Sequence, residues 1–174
     1  MDIENLLINS GAVLFGDFTL TSGKKSNYYI NIKKATTNPL ILKKIAAEMA
    51  VNVKNEKIAG IELGSVPLAV ALSLETGRPY VIVRKESKSH GTKEMIEGDL
   101  INGEEVLVVE DVVTTGGSVI RAVNILRENG AIVKKVIAVV DREEGGRENI
   151  EKEGVEFIPL LKVSSLLSKF KLHC

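Results

Sequence analysis

Short apolar runs alternate with amphipathic segments along most of the chain, and this alternation predicts strands and helices in turn. The predicted strands are residues 57–61, 79–83, 106–113 and 132–140. The predicted helices are residues 38–53, residues 66–75, and a segment that begins after residue 118 and ends at Asn129-Gly130. Strands that alternate with helices form a mostly parallel sheet covered on both faces, so the pattern predicts an α/β fold.

The regions on either side of this pattern are less regular, and the length of 174 residues suits a single domain. We expect one domain over residues 1–174, with a core at about residues 38–142. The flanking residues, 11–37 and 143–174, are expected to form a small cap, with a short helix at 163–170.

The composition is that of an ordinary globular protein, since 44% of the residues are hydrophobic and 26% are charged. Lys plus Arg and Asp plus Glu number 23 each, so we expect no general binding to nucleic acid or to an anionic membrane. A single cysteine, Cys174, and two histidines argue against a disulfide framework and a zinc site. The N-terminal segment has no long apolar run, so we expect a cytoplasmic protein without a membrane segment.

The strand predicted at 106–113 carries two adjacent acids, Glu110 and Asp111, and leads into the turn Thr-Thr-Gly-Gly-Ser at 114–118. Glycines and hydroxyls at the start of a helix present N–H and O–H donors to a phosphate, and the helix dipole favours its charge. The acids can accept hydrogen bonds from neighbouring hydroxyls or lie near a divalent metal held by phosphates. This combination predicts a sugar phosphate site, against the plainer alternative of a strand end followed by a helix cap.

The same segment, VLVVEDVVTTGGSV, resembles the signature of the type I phosphoribosyltransferases for 5-phospho-α-D-ribose 1-diphosphate (PRPP). The resemblance implies the fold of that family, with the acid pair on the ribose 2′- and 3′-hydroxyls and the turn on the 5-phosphate. Many members have Asp-Asp where this chain has Glu-Asp. The residues that the resemblance places in PRPP binding are Glu110, Asp111, Val112, Val113, Thr114, Thr115, Gly116, Gly117 and Ser118.

A basic segment, RKESKSHG at 84–91, directly follows the strand predicted at 79–83. A charge run is commonly a solvated surface, but at this edge of a sheet cations can stabilise a departing pyrophosphate. The segment resembles the catalytic loop of the orotate phosphoribosyltransferases, a type I family. That resemblance places Arg84, Lys85, Lys88 and His90 on PRPP. In that family the loop reaches across a dimer, which implies a homodimer that shares residues 84–100 between subunits.

Two further segments follow predicted strands. Residues 60–69, which include Gly64, resemble the pyrophosphate loop of the family, although bacterial relatives often carry a lysine there and this chain has none. An ordinary strand-to-helix turn is the alternative. The segment Asp141-Arg142-Glu143-Glu144 resembles the D-R-x-E segment of the orotate enzymes, which implies that Arg142 contacts orotate, with Thr114 as a second orotate contact. A surface arginine beside glutamates is the alternative reading.

Near the N-terminus, residues 15–26 resemble the F-x-L-x-S-G-x-x-S segment of the family. Thr21 occupies the position where bacterial relatives have a lysine that contacts the substrate, so this chain departs from the pattern there. The aromatic pair Tyr28-Tyr29 follows, and its rings either cover the base or belong to the core of the cap.

Taken together, the resemblance implies transfer of ribose 5-phosphate from PRPP to orotate, which gives orotidine 5′-monophosphate and diphosphate in de novo pyrimidine synthesis. It implies Lys88, Glu110 and Asp111 as catalytic residues, with Mg²⁺ carried by the substrate phosphates rather than by a dedicated protein site. A purine phosphoribosyltransferase is one alternative, which Arg142 argues against because a purine has no carboxylate. A PRPP-sensing regulator without catalysis is another, but the sequence shows no DNA-reading element. A nucleotide-binding domain with no reaction is a third.

Overall fold

The computed structural model describes residues 2–19, 23, 25–86 and 95–171. The first half of the described chain contains α1 (Ile3–Asn9), β1 (Val13–Thr19), β2 (Lys25–Ile30), α2 (Ile32–Thr36), α3 (Pro39–Ala50), β3 (Lys57–Ile61), α4 (Val66–Thr76) and β4 (Tyr80–Val83). The second half contains β5 (Ile96–Glu97), β6 (Glu105–Val113), α5 (Gly117–Glu128), β7 (Ile132–Asp141), α6 (Gly146–Lys152), β8 (Glu156–Lys162) and α7 (Val163–Lys171).

A six-stranded sheet in the order β5-β4-β3-β6-β7-β8 forms the centre of the molecule. All neighbouring pairs are parallel except β4 and β5, which are antiparallel at one edge. The long apolar run of β6 suits its place between β3 and β7, where both faces of the strand are covered. This architecture confirms the predicted α/β fold with a mostly parallel sheet.

Alternate residues of the central strands pack into two separate cores, one on each face of the sheet. Leu107 of β6 packs with Met49 of α3 on one face. The next residue, Val108, packs with Val123 and Leu126 of α5 on the opposite face. The period of two along the strand therefore places helices on both sides and leaves the carboxyl ends of the strands free to form a site.

The sequence also predicts how the flanking helices begin and end. The side chain of Asn38 accepts hydrogen bonds from the backbone N–H groups of Leu40, at 3.0 Å, and Ile41, at 3.4 Å, and Pro39 occupies the first turn of α3. This confirms the predicted start of the helix, although it ends at Ala50 instead of continuing to residue 53. α5 ends as predicted before Asn129-Gly130, where Gly130 has φ +87°.

The assignment of residues 143–174 to the cap differs from the structure. β8 pairs in parallel with β7 and forms one edge of the main sheet, and α6 connects the two strands. The core therefore extends to Lys162, well past residue 142. Pro159 lies within the apolar residues of β8, and a proline there is atypical of an inner strand but suits a strand at the edge of the sheet. α1, and β5 within the predicted loop 84–100, were also not predicted.

The cap itself is formed by the antiparallel hairpin of β1 and β2, together with α1, α2 and α7. α7 confirms the helix predicted at 163–170 and is bound to the N-terminal helix by charge, since Lys169 Nζ lies 2.7 Å from Asp2 and 2.8 Å from Glu4. Within the described ranges, every helix is too short or too polar to cross a membrane.

Candidate active site

One cavity of about 840 Å³ opens where β3, β4 and β6 leave the sheet. The turns that follow β3 and β4, residues 110–112 of β6 and one face of α5 line it, together with the side chain of Lys33 from α2. This is the position at which an open parallel sheet binds its ligands. The charged and polar side chains that line it include Lys33, Glu62, Arg84, Lys85, Glu110, Asp111, Ser118 and Arg121.

Glu110 is the buried member of the predicted acid pair, with 7% of its surface exposed. Its Oε1 accepts a hydrogen bond from the hydroxyl of Ser65 and another from the backbone N–H of Asp111, at 2.9 Å. Burial, and then the negative charge of Asp111, raise the pKa of Glu110 to about 8. The carboxyl of Glu110 therefore holds its proton around neutral pH and can donate a hydrogen bond as well as accept one.

Asp111 is the more accessible acid, and its carboxylate faces the turn that follows β3. Its Oδ1 accepts a hydrogen bond from the N–H of Val112, at 2.8 Å, and its Oδ2 lies 3.6 Å from Lys33 Nζ. A Cβ added at Gly64 would lie 2.3 Å from Oδ2 of Asp111. Glycine at position 64 thus allows the turn to pack directly against the carboxylate.

The turn after β6 surrounds a smaller cavity of about 170 Å³ beside Glu110. Gly116 takes the N-cap position with φ +83°, and α5 begins without a side-chain cap, so its first N–H groups are free to bind an anion. The predicted PRPP residues that line this cavity are Val112, Val113, Thr114, Thr115, Gly116, Gly117 and Ser118. The structure therefore places the predicted phosphate turn next to the acid pair.

Two of the four predicted loop residues, Arg84 and Lys85, line the main cavity. Arg84 Nη1 forms an ion pair of 2.9 Å with Glu97, and the backbone N–H of Lys85 donates to Glu62 Oε2 at 3.0 Å. The first contact joins the start of the loop to β5, and the second joins it to the turn after β3. Lys88 and His90 lie outside the described residues.

Arg142 lies at a different cavity, of about 760 Å³, between the end of β7 and the hairpin of the cap. Its guanidinium carbon is 5.2 Å from the ring centroid of Tyr28. Its buried Nε lies 3.1 Å from Oε1 of Glu144 but has no aligned hydrogen-bond partner among the described residues. Thr114, the second predicted orotate residue, lines the phosphate cavity rather than this one, while Thr21 lies outside the described residues.

Two contacts of the acid pair were not predicted from sequence, those of Ser65 and Lys33, although Ser65 lies within the segment 60–69 that resembles the pyrophosphate loop. Ser65 is buried completely and donates to Glu110, and Lys33 reaches Asp111 from the short helix α2. Each contact joins segments that are far apart in the chain, so no local pattern indicates it. A serine before a helix and two adjacent lysines in a helix occur in many sequences, so neither one indicates a contact with the acid pair.

Carboxylate oxygens, the ligands that Mg²⁺ prefers, are present in the main cavity on Glu62, Glu110 and Asp111. In the part of the chain that the structure describes, no three His, Cys, Asp or Glu side chains converge to hold a metal ion. Of the acid pair, Asp111 is the accessible carboxylate, and it can lie near a cation whose other ligands come from bound phosphates.

Comparison with known proteins agrees with this arrangement. Residues 31–159 match the family model of the phosphoribosyl transferase domain. The chain is 58% identical to an orotate phosphoribosyltransferase of Pyrococcus horikoshii over 170 residues, which cover 95% of this chain and 91% of that protein.

Solved structures give the same result. The crystal structure of an orotate phosphoribosyltransferase from Aeropyrum pernix superposes with a TM-score of 0.88 at 33% identity, covering 98% of this chain and 99% of that one. A UMP synthase of Leishmania donovani superposes with a TM-score of 0.86 at 32% identity, and here the match covers 98% of this chain but 38% of the other. The chain belongs to the orotate phosphoribosyltransferases, within the phosphoribosyl transferase domain family.

Proposed function

We propose that this protein transfers the ribose 5-phosphate group of PRPP to orotate and releases diphosphate, a step of de novo pyrimidine synthesis. The observation that carries the proposal is the convergence of the acid pair, the uncapped start of α5 and the basic residues of the loop at one edge of the sheet. Each of these groups matches one part of PRPP: the ribose, the 5-phosphate and the pyrophosphate.

In this reaction the bond between C1′ and the pyrophosphate oxygen breaks, and its electron pair leaves with the pyrophosphate. N1 of orotate then forms the new bond at C1′ and gives up its proton to water, so the enzyme needs no covalent nucleophile. Asp111 accepts hydrogen bonds from ribose hydroxyls. The carboxyl of Glu110 accepts a hydrogen bond from the backbone N–H of Asp111 and so helps to fix its position. These contacts fix the ribose while positive charge develops at C1′.

The leaving group and the 5-phosphate are held at opposite sides of the acid pair. The free N–H groups at residues 116–118 bind the 5-phosphate. Arg84 and Lys85 stabilise the charge that develops on the pyrophosphate, and we assign the same role to Lys88 and His90 on the basis of the family resemblance. Mg²⁺ bound to the substrate phosphates would supply further neutralisation of the leaving group.

Arg142 accounts for the choice of orotate over a purine. Its guanidinium lies over Tyr28 in a cavity at the end of β7, where its planar fork can form a bidentate contact with the orotate carboxylate. Thr114 lies at the end of the adjacent strand, since the N–H of Arg142 donates to the carbonyl of Val113. We therefore retain Thr114 as the second orotate contact.

The family resemblance further supports a cytoplasmic homodimer in which residues 84–100 complete the site of the partner subunit. The expected partners of the dimer are thus only its two substrates, with no nucleic acid and no membrane. Light scattering at several concentrations measures the oligomeric state, and a monomer at every concentration would contradict the shared loop.

The function is tested by orotate consumption, followed by ultraviolet absorbance, with PRPP and Mg²⁺ present. Orotate should disappear only when both are added, and Asp111→Asn should abolish turnover. The control is Glu128→Gln, which neutralises an exposed acid at the C-terminal end of α5, outside the cavities described above, and should retain activity. Turnover with adenine, hypoxanthine or guanine instead of orotate would refute the assignment of Arg142, and PRPP binding without any turnover would indicate a sensor.

A further inference from the structure

Lys33 lies between the two parts of the main cavity that face the ribose and the pyrophosphate. Its Nζ is 3.6 Å from Oδ2 of Asp111, and its Cε lies 3.1 Å from where a Cβ at Gly64 would stand. Gly64 belongs to the turn that resembles the pyrophosphate loop, and Asp111 is the accessible acid of the ribose site. The ammonium group is therefore next to the point where the bond from C1′ to the pyrophosphate would break.

The backbone that carries Lys33 is held by buried neighbours, whereas its side chain is largely exposed. Ile32 and Ala35 of α2 are buried, and the side chain of Asn31 caps the helix by accepting from the N–H of Lys34. The Lys33 side chain itself is 62% exposed. An ion pair with that exposure is weak, so Lys33 can exchange Asp111 for a phosphate oxygen at little free-energy cost.

The pyrophosphate turn contributes no positive charge of its own. Residues 60–69 contain neither lysine nor arginine, and the charged side chain they bring to the cavity is that of Glu62. A turn that receives a polyanion needs cations nearby, and Lys33 is the one that lies against Gly64. Arg84 and Lys85 approach the same cavity from the end of β4.

We propose that Lys33 is a further catalytic residue, whose ammonium binds the pyrophosphate of PRPP beside C1′ after ribose hydroxyls have taken its place on Asp111. This inference rests on the proposed function. In the free protein Lys33 neutralises Asp111. In the complex it stabilises the negative charge that builds up on the leaving oxygen as the bond from C1′ breaks, and it takes no proton in the step.

The test compares Lys33→Met with Lys34→Met. Methionine preserves most of the length of the side chain and removes the charge. Lys34 is the adjacent exposed lysine of α2, and its amine lies against Gly11 in the cap instead of the cavity. Two ligands separate the roles: pyrophosphate with Mg²⁺ probes the leaving-group side alone, and ribose 5-phosphate probes Asp111 and the phosphate turn.

Lys33→Met should weaken pyrophosphate binding by roughly ten- to a hundredfold, the range of a charge-assisted hydrogen bond, and should lower kcat for orotate at least as much. Its affinity for ribose 5-phosphate should be unchanged, Lys33→Arg should recover part of kcat, and Lys34→Met should behave as the wild type. An equal loss of affinity for pyrophosphate and for ribose 5-phosphate would show that Lys33 only positions Asp111. An unchanged affinity for pyrophosphate would also overturn the inference. If the wild type consumes orotate while Lys33→Met is normal, this inference alone fails; if the wild type does not consume orotate, the proposed function fails.

Discussion

The hydroxyl of Ser65 donates a hydrogen bond to Oε1 of Glu110, which joins the start of α4 to β6 beneath the active-site cavity. Both residues are buried, so if one is removed, water cannot replace the hydrogen bond that the other loses. The contact connects the turn that faces the pyrophosphate with the acids that face the ribose. In the proposed function, this hydrogen bond therefore couples the turn assigned to the pyrophosphate with the acids assigned to the ribose.

Replacing Ser65 with alanine leaves the buried carboxyl of Glu110 with one donor fewer. We expect Ser65→Ala to lower the free energy of unfolding by about 1–3 kcal/mol and to raise KM for PRPP, because an unsatisfied buried group is costly and Glu110 loses its orientation. Chemical denaturation and steady-state kinetics measure the two effects. Ser168→Ala, which removes an exposed hydroxyl from α7, is the control and should change neither quantity.

Glu110 should also make stability depend on pH. The folded protein keeps the Glu110 proton up to about pH 8, whereas the unfolded chain releases it near its ordinary pKa of 4.5. The unfolded state therefore binds fewer protons in this window, and the free energy of unfolding falls as the pH rises through it. Glu110→Gln has no such titration, so its stability relative to the wild type should improve between about pH 5 and about pH 8 in urea denaturation. Parallel stability curves for the two proteins would contradict this.

The parts of the fold that were predicted correctly are those whose signals are local. The apolar runs of β3 and β6 and the caps of α3 lie within a few residues of the elements they define. β8 was not predicted because Pro159 lies in the middle of its apolar residues. Proline is atypical of an inner strand but is tolerated in an edge strand. Its assignment to the sheet depends on pairing with β7, which only the folded chain shows.

The residues of the site likewise fall into two groups, those marked by a local sequence motif and those brought in from distant elements. Glu110, Asp111 and the turn after them are adjacent in sequence, so their motif could be recognised, and the structure places them at the two cavities. Ser65 and Lys33 reach those acids from other elements, and nothing in the neighbouring sequence marks either contact. The roles given to the site residues remain predictions that the variants described here test.

Arg142 should determine affinity for orotate and leave PRPP binding unchanged. Lysine keeps the charge but loses the planar fork that a carboxylate contacts with two hydrogen bonds, so Arg142→Lys should lower kcat/KM for orotate by roughly a hundredfold. Arg147 provides a matched control, because its guanidinium also lies over an aromatic ring, that of Phe157, at 5.3 Å. Arg147→Lys should keep its orotate kinetics, and an equal loss in both variants would point to a structural role for Arg142.

The ion pair of Glu56 with Lys135 should stabilise the protein at neutral pH. Burial alone would raise the pKa of Glu56, but hydrogen bonds from Lys135 Nζ and from backbone N–H groups lower it to about 2. A depressed pKa gives stability that is present above the ordinary value of 4.5 and is lost as the pH falls towards 2.

Glu56→Gln should therefore lower the free energy of unfolding at neutral pH by on the order of 1–3 kcal/mol, with a smaller difference in acid. The exposed pair of Glu105 and Lys134 is the control, because Glu105→Gln should have little effect at any pH. Urea denaturation of both variants at neutral and at acid pH measures these changes in the free energy of unfolding. A pH-independent loss for Glu56→Gln would contradict the expected role of its charge.

Gly64 and Gly60 should respond differently to alanine. A Cβ at Gly64 would displace the Asp111 carboxylate, so Gly64→Ala should reduce turnover while the protein remains folded. A Cβ at Gly60 would lie 2.8 Å from Cβ of Ala69 and 3.0 Å from the carbonyl of Ser65, so Gly60→Ala should mainly lower the melting temperature. Circular dichroism and orotate turnover, measured on both variants, separate the two effects.

One short stretch of chain touches both substrate cavities. β2 carries Tyr28 under the guanidinium of Arg142, and α2, which follows directly, carries Lys33 beside Asp111. Between them the N–H of Asn31 donates to the carbonyl of Ala12 at 2.7 Å, and Ile30 and Ile32 on either side of it are buried, so the stretch is held as one segment. A shift that accommodates one substrate thus moves a side chain at the other cavity. The two substrates should consequently bind cooperatively or antagonistically, with one coupling free energy that acts equally in both directions.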